Sequence, residues 1–283
     1  MHDSPQVPII RHPDVRRMLL MMKAYTEGIR ALILYTAYCM DMELVSDEKE
    51  KHKWAELIAF LTPVAKAYGS DMSFRVTETA MQVYGGYGYM KDYPVEQFLR
   101  DEKVHSIFEG TNGIQALDLL VRKVQKNSQE LESGLFKNIE KFCKENGHHK
   151  ELVKSIGYLP EGLNALTGVT DYFAKGQGDD YNKAALFATQ YMELSGDVIT
   201  GWLLLWQAVI AHEKLHAMIQ SSRIKEEREA KQFIIENSEA AFYSGKIASA
   251  RFFSSNVLSL SRAKAQAIID GDTAAIDMAE EEF

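Results

Sequence analysis

Residues 81–115 read MQVYGGYGYMKDYPVEQFLRDEKVHSIFEGTNGIQ, and this stretch decides the fold. A helix-forming run reaches Tyr84 and stops at Gly85, Gly86 and Gly88. Pro94 then stands where the first turn of a new helix has no use for an N–H. That helix is expected to run through Arg100 to about Ile107. A lone carboxylate, Glu109, follows between Phe108 and Gly110. Thr111 or Asn112 is suited to cap another helix through Leu117, Leu120 and Val124.

Upstream, His12-Pro13-Asp14 opens a helix in the same way, with Pro13 in the first turn. Val15, Met18, Leu19, Met22, Ile29, Leu32, Ile33 and Met40 recur at three- and four-residue steps, the apolar stripe of a long helix reaching about Glu43. Ser46 to Lys53 is charged and reads as a connection. Trp54 to Tyr84 is helical, with Pro63 suggesting a kink. Few runs alternate with a period of two, so no sheet is expected, and residues 1–126 read as an up-down four-helix bundle.

Downstream, Lys126 to Ser133 is a polar linker or helix end. Leu135 to Lys144 and Lys150 to Lys175 are helical, with breaks expected at Gly147 and at Gly157 to Pro160. Lys175 to Asp180 is the clearest loop. Tyr181 to Gln220 becomes apolar on all sides at Trp202–Trp206, as a buried helix does. Glu226 to Asp270 reads as one long helix rich in small residues, and the EEEF tail as solvated. Residues 127–283 thus form a second helical unit of an all-α chain.

Of the 283 residues 46% are hydrophobic and 25% charged, ordinary for a soluble globular protein. The net charge of −8 gives no electrostatic support to nucleic-acid binding. No basic-then-apolar leader opens the chain, and the Trp202–Ala211 run is too short to span a bilayer. The expectation is a soluble cytoplasmic protein without a membrane segment. Cys39 and Cys143 make neither a disulfide framework nor a metal site by themselves. Met18, Met21, Met22, Met40 and Met42 read as gap-filling core residues.

Several residues suit chemistry. Taken alone, a Glu before Gly is most often a solvated turn residue. Between Phe108 and Gly110, however, Glu109 could lie in an apolar pocket, where desolvation would raise its pKa towards the working pH of a general base. The glycines at 85 and 86 permit conformations and close approaches that a Cβ forbids, although a helix C-cap needs the same. His212-Glu213-Lys214-Leu215-His216 matches H-E-x-x-H, which on a helix sets two imidazoles on one face for zinc with the Glu as base. Glu236 follows at an interval suited to a third ligand, so a zinc hydrolase is one alternative. Glu102-x-x-His105 and Glu213-x-x-His216 together echo di-iron bundles. Against both, no strand flanks the motif and the two E-x-x-H pairs fall in different bundles, so no metal is expected.

QVYGGYGY, PVEQFLRD and IFEGTNGIQ, together with HPDVRRML at residues 12–19, occur in the order and at the distances found in the acyl-CoA dehydrogenases, whose C-terminal bundle domain this chain resembles over residues 6 to about 125. The remainder is similar to the helical extension of the longer members. The resemblance implies desaturation of an acyl-CoA thioester to the 2-enoyl-CoA. Glu109 would be the base for the α-proton, its backbone N–H polarising the thioester carbonyl, with Phe108 and Gly110 beside the substrate. It further implies FAD, with Gln82, Gly85, Gly86 and Thr111 contacting the adenosine end of a partner subunit's cofactor in a homodimer. An electron-transfer flavoprotein would be the next carrier. Gly113 stands where many members have Gln, a lost cofactor hydrogen bond. Arg100-Asp101 fits the family spacing and reads as a structural ion pair. The family's N-terminal helical and middle β-barrel domains have no counterpart here, so the chain by itself is expected to be inactive and without flavin. A non-catalytic dimerisation or assembly module is the other alternative.

Overall fold

The computed structural model describes residues 5–124, 132–176 and 181–283, and every described element is helical. The expected linker at 126–133 and the last four residues of the KGQGDD loop fall largely outside this range. The helices are α1 (Pro13–Val45), α2 (Glu48–Tyr84), α3 (Val95–His105), α4 (Asn112–Leu117), α5 (Lys137–Asn146), α6 (Val153–Ala174), α7 (Tyr181–Ser221), α8 (Glu227–Glu236), α9 (Ser238–Asn256), α10 (Ser261–Asp270) and α11 (Ala274–Asp277). A π-helical segment, Asp118–Val124, continues α4.

Helices α1 and α2 form an antiparallel pair, α3 lies on α2, and α7 packs on α1, α2, α4, α6, α9 and α10. One hydrophobic core therefore runs from Ala24 to Ile268 across both halves of the chain. Its centre is α7, with Leu194, Val198, Ile199, Leu204 and Leu205 fully enclosed. By length and composition α7 would pass as a membrane span, contrary to the short apolar run read from sequence. Yet 83% of its most apolar window is buried within the protein, as befits a core helix.

Close helix contact depends on small residues. A Cβ on Gly196 of α7 would lie 2.2 Å from the ring of Tyr68 on α2, and one on Gly28 of α1 would lie 2.3 Å from Thr200 of α7. The Tyr68 hydroxyl donates to Asp197 Oδ1 at 2.8 Å, and Lys264 Nζ of α10 donates to Asp197 Oδ2 and Glu193 Oε1, both at 2.6 Å. Burial works against the Lys264 charge, but Asp197 and then Glu193 more than offset it and hold its pKa above the ordinary value. Three helices are thereby pinned at one buried carboxylate. Glu27 of α1 reaches α9 through Lys246 at 3.4 Å, and Lys23, one turn earlier on α1, pairs with it at 2.7 Å.

Several expectations are corrected. Of the charged stretch 46–53 only Ser46 and Asp47 connect the helices, and the rest is the start of α2. Asp47 caps α2 by accepting from the N–H groups of Lys49 and Glu50, so the charges lie on the first, solvated turns. Pro63 lies inside α2 as expected, and its missing N–H orphans the Ala59 carbonyl. Lys123 Nζ from the π-helical segment donates to that carbonyl, and also pairs with Asp118 at 3.0 Å. Helix α6 runs unbroken through Gly157 and Pro160. Both are exposed, while Ile156, Leu159 and Leu163 bury the opposite face, and that packing outweighs local propensity. Residues 226–270 are three helices, divided where Asn237 turns extended to cap α9 and at Val257. The buried stripe of α1 is Ala24, Tyr25, Gly28, Ile29, Leu32, Thr36 and Cys39, whereas Ile33 and Met40 are exposed. Arg100 and Asp101 face solvent, and neither forms an ion pair among the described residues.

Replacing Lys264 by Met would strand the Asp197 carboxylate in the core. Urea unfolding should show a loss of about 3 kcal/mol, partly recovered by adding Asp197→Asn. A loss well under about 1 kcal/mol would mean that the pair is screened like a surface one.

Candidate functional site

The site is built on the last turns of α2 and on the loop after α3. Helix α2 stops because Gly85 takes φ +60° and ψ −144°, where an L side chain is strained, while its N–H still donates to Gln82 O. Rings hold the turn, with Tyr93 packing on Tyr84 at 6.0 Å and on Tyr87 at 5.5 Å. Gln82, Gly85 and Gly86 are all exposed. A Cβ at Gly86 would meet nothing within 4 Å. Internal packing therefore does not account for glycine there, and the position is open to a ligand or another chain.

The second part begins at the end of α3. The N–H groups of Ile107 and Phe108 both donate to Val104 O, closing the helix. Glu109 then takes φ +52° and Gly110 φ +85°. A left-handed Glu costs about 1 kcal/mol, so surrounding contacts must hold it. The Asn112 N–H closes the loop on Ser106 O at 3.1 Å. Thr111 caps α4, its Oγ1 accepting from the Ile114 N–H at 3.3 Å.

Asn112, buried, carries the loop onto α2. Its Nδ2 donates to Ser70 Oγ and to Asp71 Oδ1, both at 2.8 Å. Lys66 Nζ donates to Asn112 Oδ1 at 2.8 Å and to Gly110 O at 2.6 Å. Sequence reasoning assigned Lys66, Ser70 and Asp71 no part in the site, and took Asn112 only as a possible cap. The available signal was a polar Lys-x-x-x-Ser-Asp face on an otherwise apolar part of α2.

The expected apolar pocket around Glu109 is absent. Glu109, Gly110, Thr111 and Gly113 are exposed, and Phe108 is 43% and Ile107 57% exposed. Two residues beside an open surface give a carboxylate one apolar wall, and desolvation needs more. The structure thus places Gln82, Gly85 and Gly86 at one end of α2, and Phe108 to Thr111 on the loop tethered to its middle. No backbone acceptor takes the N–H of Glu109 or Gly110 among the described residues.

The competing motif has a different geometry. His212 and His216 stack with ring centres 6.1 Å apart, and His149 meets His212 edge-on at 4.5 Å. Glu236 is exposed and bonded to Gln232 of its own helix. Among the described residues no three His, Cys, Asp or Glu side chains converge on a metal-sized centre. Glu102 makes a 3.6 Å pair with His105 on α3 and does not join the second motif. Burial pushes the Cys39 and Cys143 thiols up to about 11, leaving both in the unreactive protonated form near neutrality.

With this geometry in view, residues 135–279 match the family described as acetyl-CoA dehydrogenase C-terminal like, and residues 3–124 match the acyl-CoA dehydrogenase C-terminal domain. The chain belongs to the acyl-CoA dehydrogenase family. Its curated relatives include the broad-specificity linear acyl-CoA dehydrogenase FadE5 of Mycobacterium tuberculosis, 33% identical over 98% of this chain and 44% of that protein. A butyryl-CoA dehydrogenase of Syntrophomonas wolfei is also 33% identical, over 98% of this chain and 43% of its own length. The chain thus spans less than half of these acyl-CoA dehydrogenases. Among solved structures, an acyl-CoA dehydrogenase complexed with FAD from Bacillus anthracis shares the fold with a TM-score of 0.67 at 17% identity, over 97% of this chain and 45% of that one.

Burial, and then the neighbouring His149 ring, hold the His212 pKa below its ordinary value near 6.5. The folded state therefore favours the neutral imidazole. That contribution to stability is full above about pH 6.5 and is lost as pH falls through the lowered value. His212→Gln should flatten the fall in melting temperature between about pH 7 and pH 5. An unchanged slope would contradict the assignment.

Proposed function

We propose that this chain is the C-terminal part of an FAD-dependent acyl-CoA dehydrogenase that desaturates an acyl-CoA thioester between its α and β carbons. The observation that carries the reading is the left-handed Glu109, held on an open, partly apolar surface, its backbone N–H meeting no backbone acceptor among the described residues. The Glu109 carboxylate takes the α-proton, and its N–H donates to the thioester oxygen as negative charge develops there. Phe108 and Gly110 flank the substrate. The exposure of Glu109 in this chain fits a base whose remaining pocket walls belong to other domains.

FAD fits the open glycine turn, since Gly86 leaves room that no side chain of the chain fills. Gln82, Gly85, Gly86 and Thr111 would hold its adenosine end, presented by a second subunit of a homodimer. When bound, FAD supplies the acceptor for the β-hydrogen leaving as hydride, and an electron-transfer flavoprotein would reoxidise it. Residues 1–126 would be the bundle that carries this surface and residues 127–283 the extension that braces it. By itself the chain would not oxidise acyl-CoA.

Glu109→Gln tests the reading. With the N-terminal and middle domains of a long relative supplied in the same polypeptide, the substitution should lower dehydrogenation by about a hundredfold or more with flavin content unchanged, because Gln cannot accept the proton. Activity within about threefold of the parent would sink the assignment.

A further inference from the structure

Glu109 and Gly110 occupy two successive left-handed positions. A Cβ disfavours that conformation, so a free loop would leave it. The loop stays because α2 holds it from the C-terminal side. Lys66 Nζ sits on Gly110 O and Asn112 Oδ1, and Asn112 is itself locked to Ser70 and Asp71.

The use made of Lys66 is unusual. A lysine at a surface commonly ends in water or on a carboxylate. Lys66 is half-buried, and among the described residues it meets no carboxylate in ion-pair range. Its ammonium is spent on two neutral oxygens, one of them the carbonyl immediately after Glu109. The contact grips the peptide on the C-terminal side of Glu109, and among the described residues the N–H groups of Glu109 and Gly110 meet no backbone acceptor.

We infer that Lys66, acting through Gly110 O and Asn112, is a positioning residue that sets where the Glu109 carboxylate and N–H point. The inference rests on the reading of Glu109 as the base. Lys66 bonds the loop backbone and Asn112, not the Glu109 carboxylate. Its loss leaves the base present but misplaced, and a misplacement of about 1 Å costs on the order of a hundredfold in rate.

Two measurements test this. In the chain itself, Lys66→Met should speed hydrogen exchange of the Asn112 amide by about tenfold, leave α7 amides unchanged, and be largely reversed by Lys66→Arg. In the flavin-containing polypeptide with the other domains present, Lys66→Met should lower kcat by about ten- to a hundredfold with KM within about threefold, and Lys66→Arg should restore most of it. If the Met variant fails to fold, Lys66→Gln replaces it under the same thresholds. Exchange within about twofold of the parent overturns the proposal, as does kcat within about threefold beside an inactive Glu109→Gln. An active Glu109→Gln overturns the base assignment and the positioning role together, whatever the exchange rates show.

Discussion

The structure depends on the contact between Tyr68 and the Gly196-Asp197 pair. The ring fills space that Gly196 leaves by having no side chain, and the hydroxyl ends on a carboxylate that Lys264 neutralises. Tyr68 and Asp197 are both fully buried, hence neither end of the contact is screened by water. This interaction seats α2 on α7 and brings α10 to the same point. It also determines where the site lies. Lys66 and Ser70, one turn apart, share a face of α2 and hold the Glu109 loop, while Tyr68 lies two residues from each and points the other way. The Gly-Gly turn is the end of the same helix. One rigid rod thus carries both parts of the candidate site, and the second half of the chain fixes the rod.

The surface so presented is open. Tyr87, Tyr89, Phe98, Ile107, Phe108 and Ile114 are all more than 40% exposed around the turn and the loop. Large apolar groups left together at a surface mark a face that something else covers. This chain spans less than half the length of its acyl-CoA dehydrogenase relatives, and on the proposed reading the rest of such a protein covers this face. On that reading Glu109 and the side-chain-free turn at Gly86 lie ready on this face, and other parts of the protein exclude the water.

Much of this was legible in the sequence because helix starts and stops are local chemistry. Pro13, Pro94, Thr111 and Gly85 each act within one turn of their own position, and the structure uses each at a helix end. What sequence misjudged depends on partners far along the chain. At Pro63 no local pattern points to Lys123, sixty residues on, which satisfies the carbonyl that the proline orphans. Gly157 and Pro160 suggested a break, but the buried face of α6 carries the helix through. Ile33 and Met40 fitted the apolar period of α1, yet the buried stripe follows Gly28, where α7 comes closest. In the site, the motif drew attention to Glu109, Gly85 and Gly86. The roles of Lys66 and Asn112 come from contacts over more than forty residues, which no local pattern encodes.

On the proposed reading, this chain supplies a base and one end of a cofactor cradle on a folded frame, without walls that enclose them. Contacts to one end of a cofactor must offset lost translational and rotational freedom, roughly 4 to 15 kcal/mol, before any affinity appears. Titrating FAD into the purified chain while following flavin fluorescence, with circular dichroism on the same sample, tests this most directly. The account predicts a colourless, helical protein that shows no saturable binding at submicromolar FAD. Saturable submicromolar binding, or flavin co-purifying in stoichiometric amount, would contradict it.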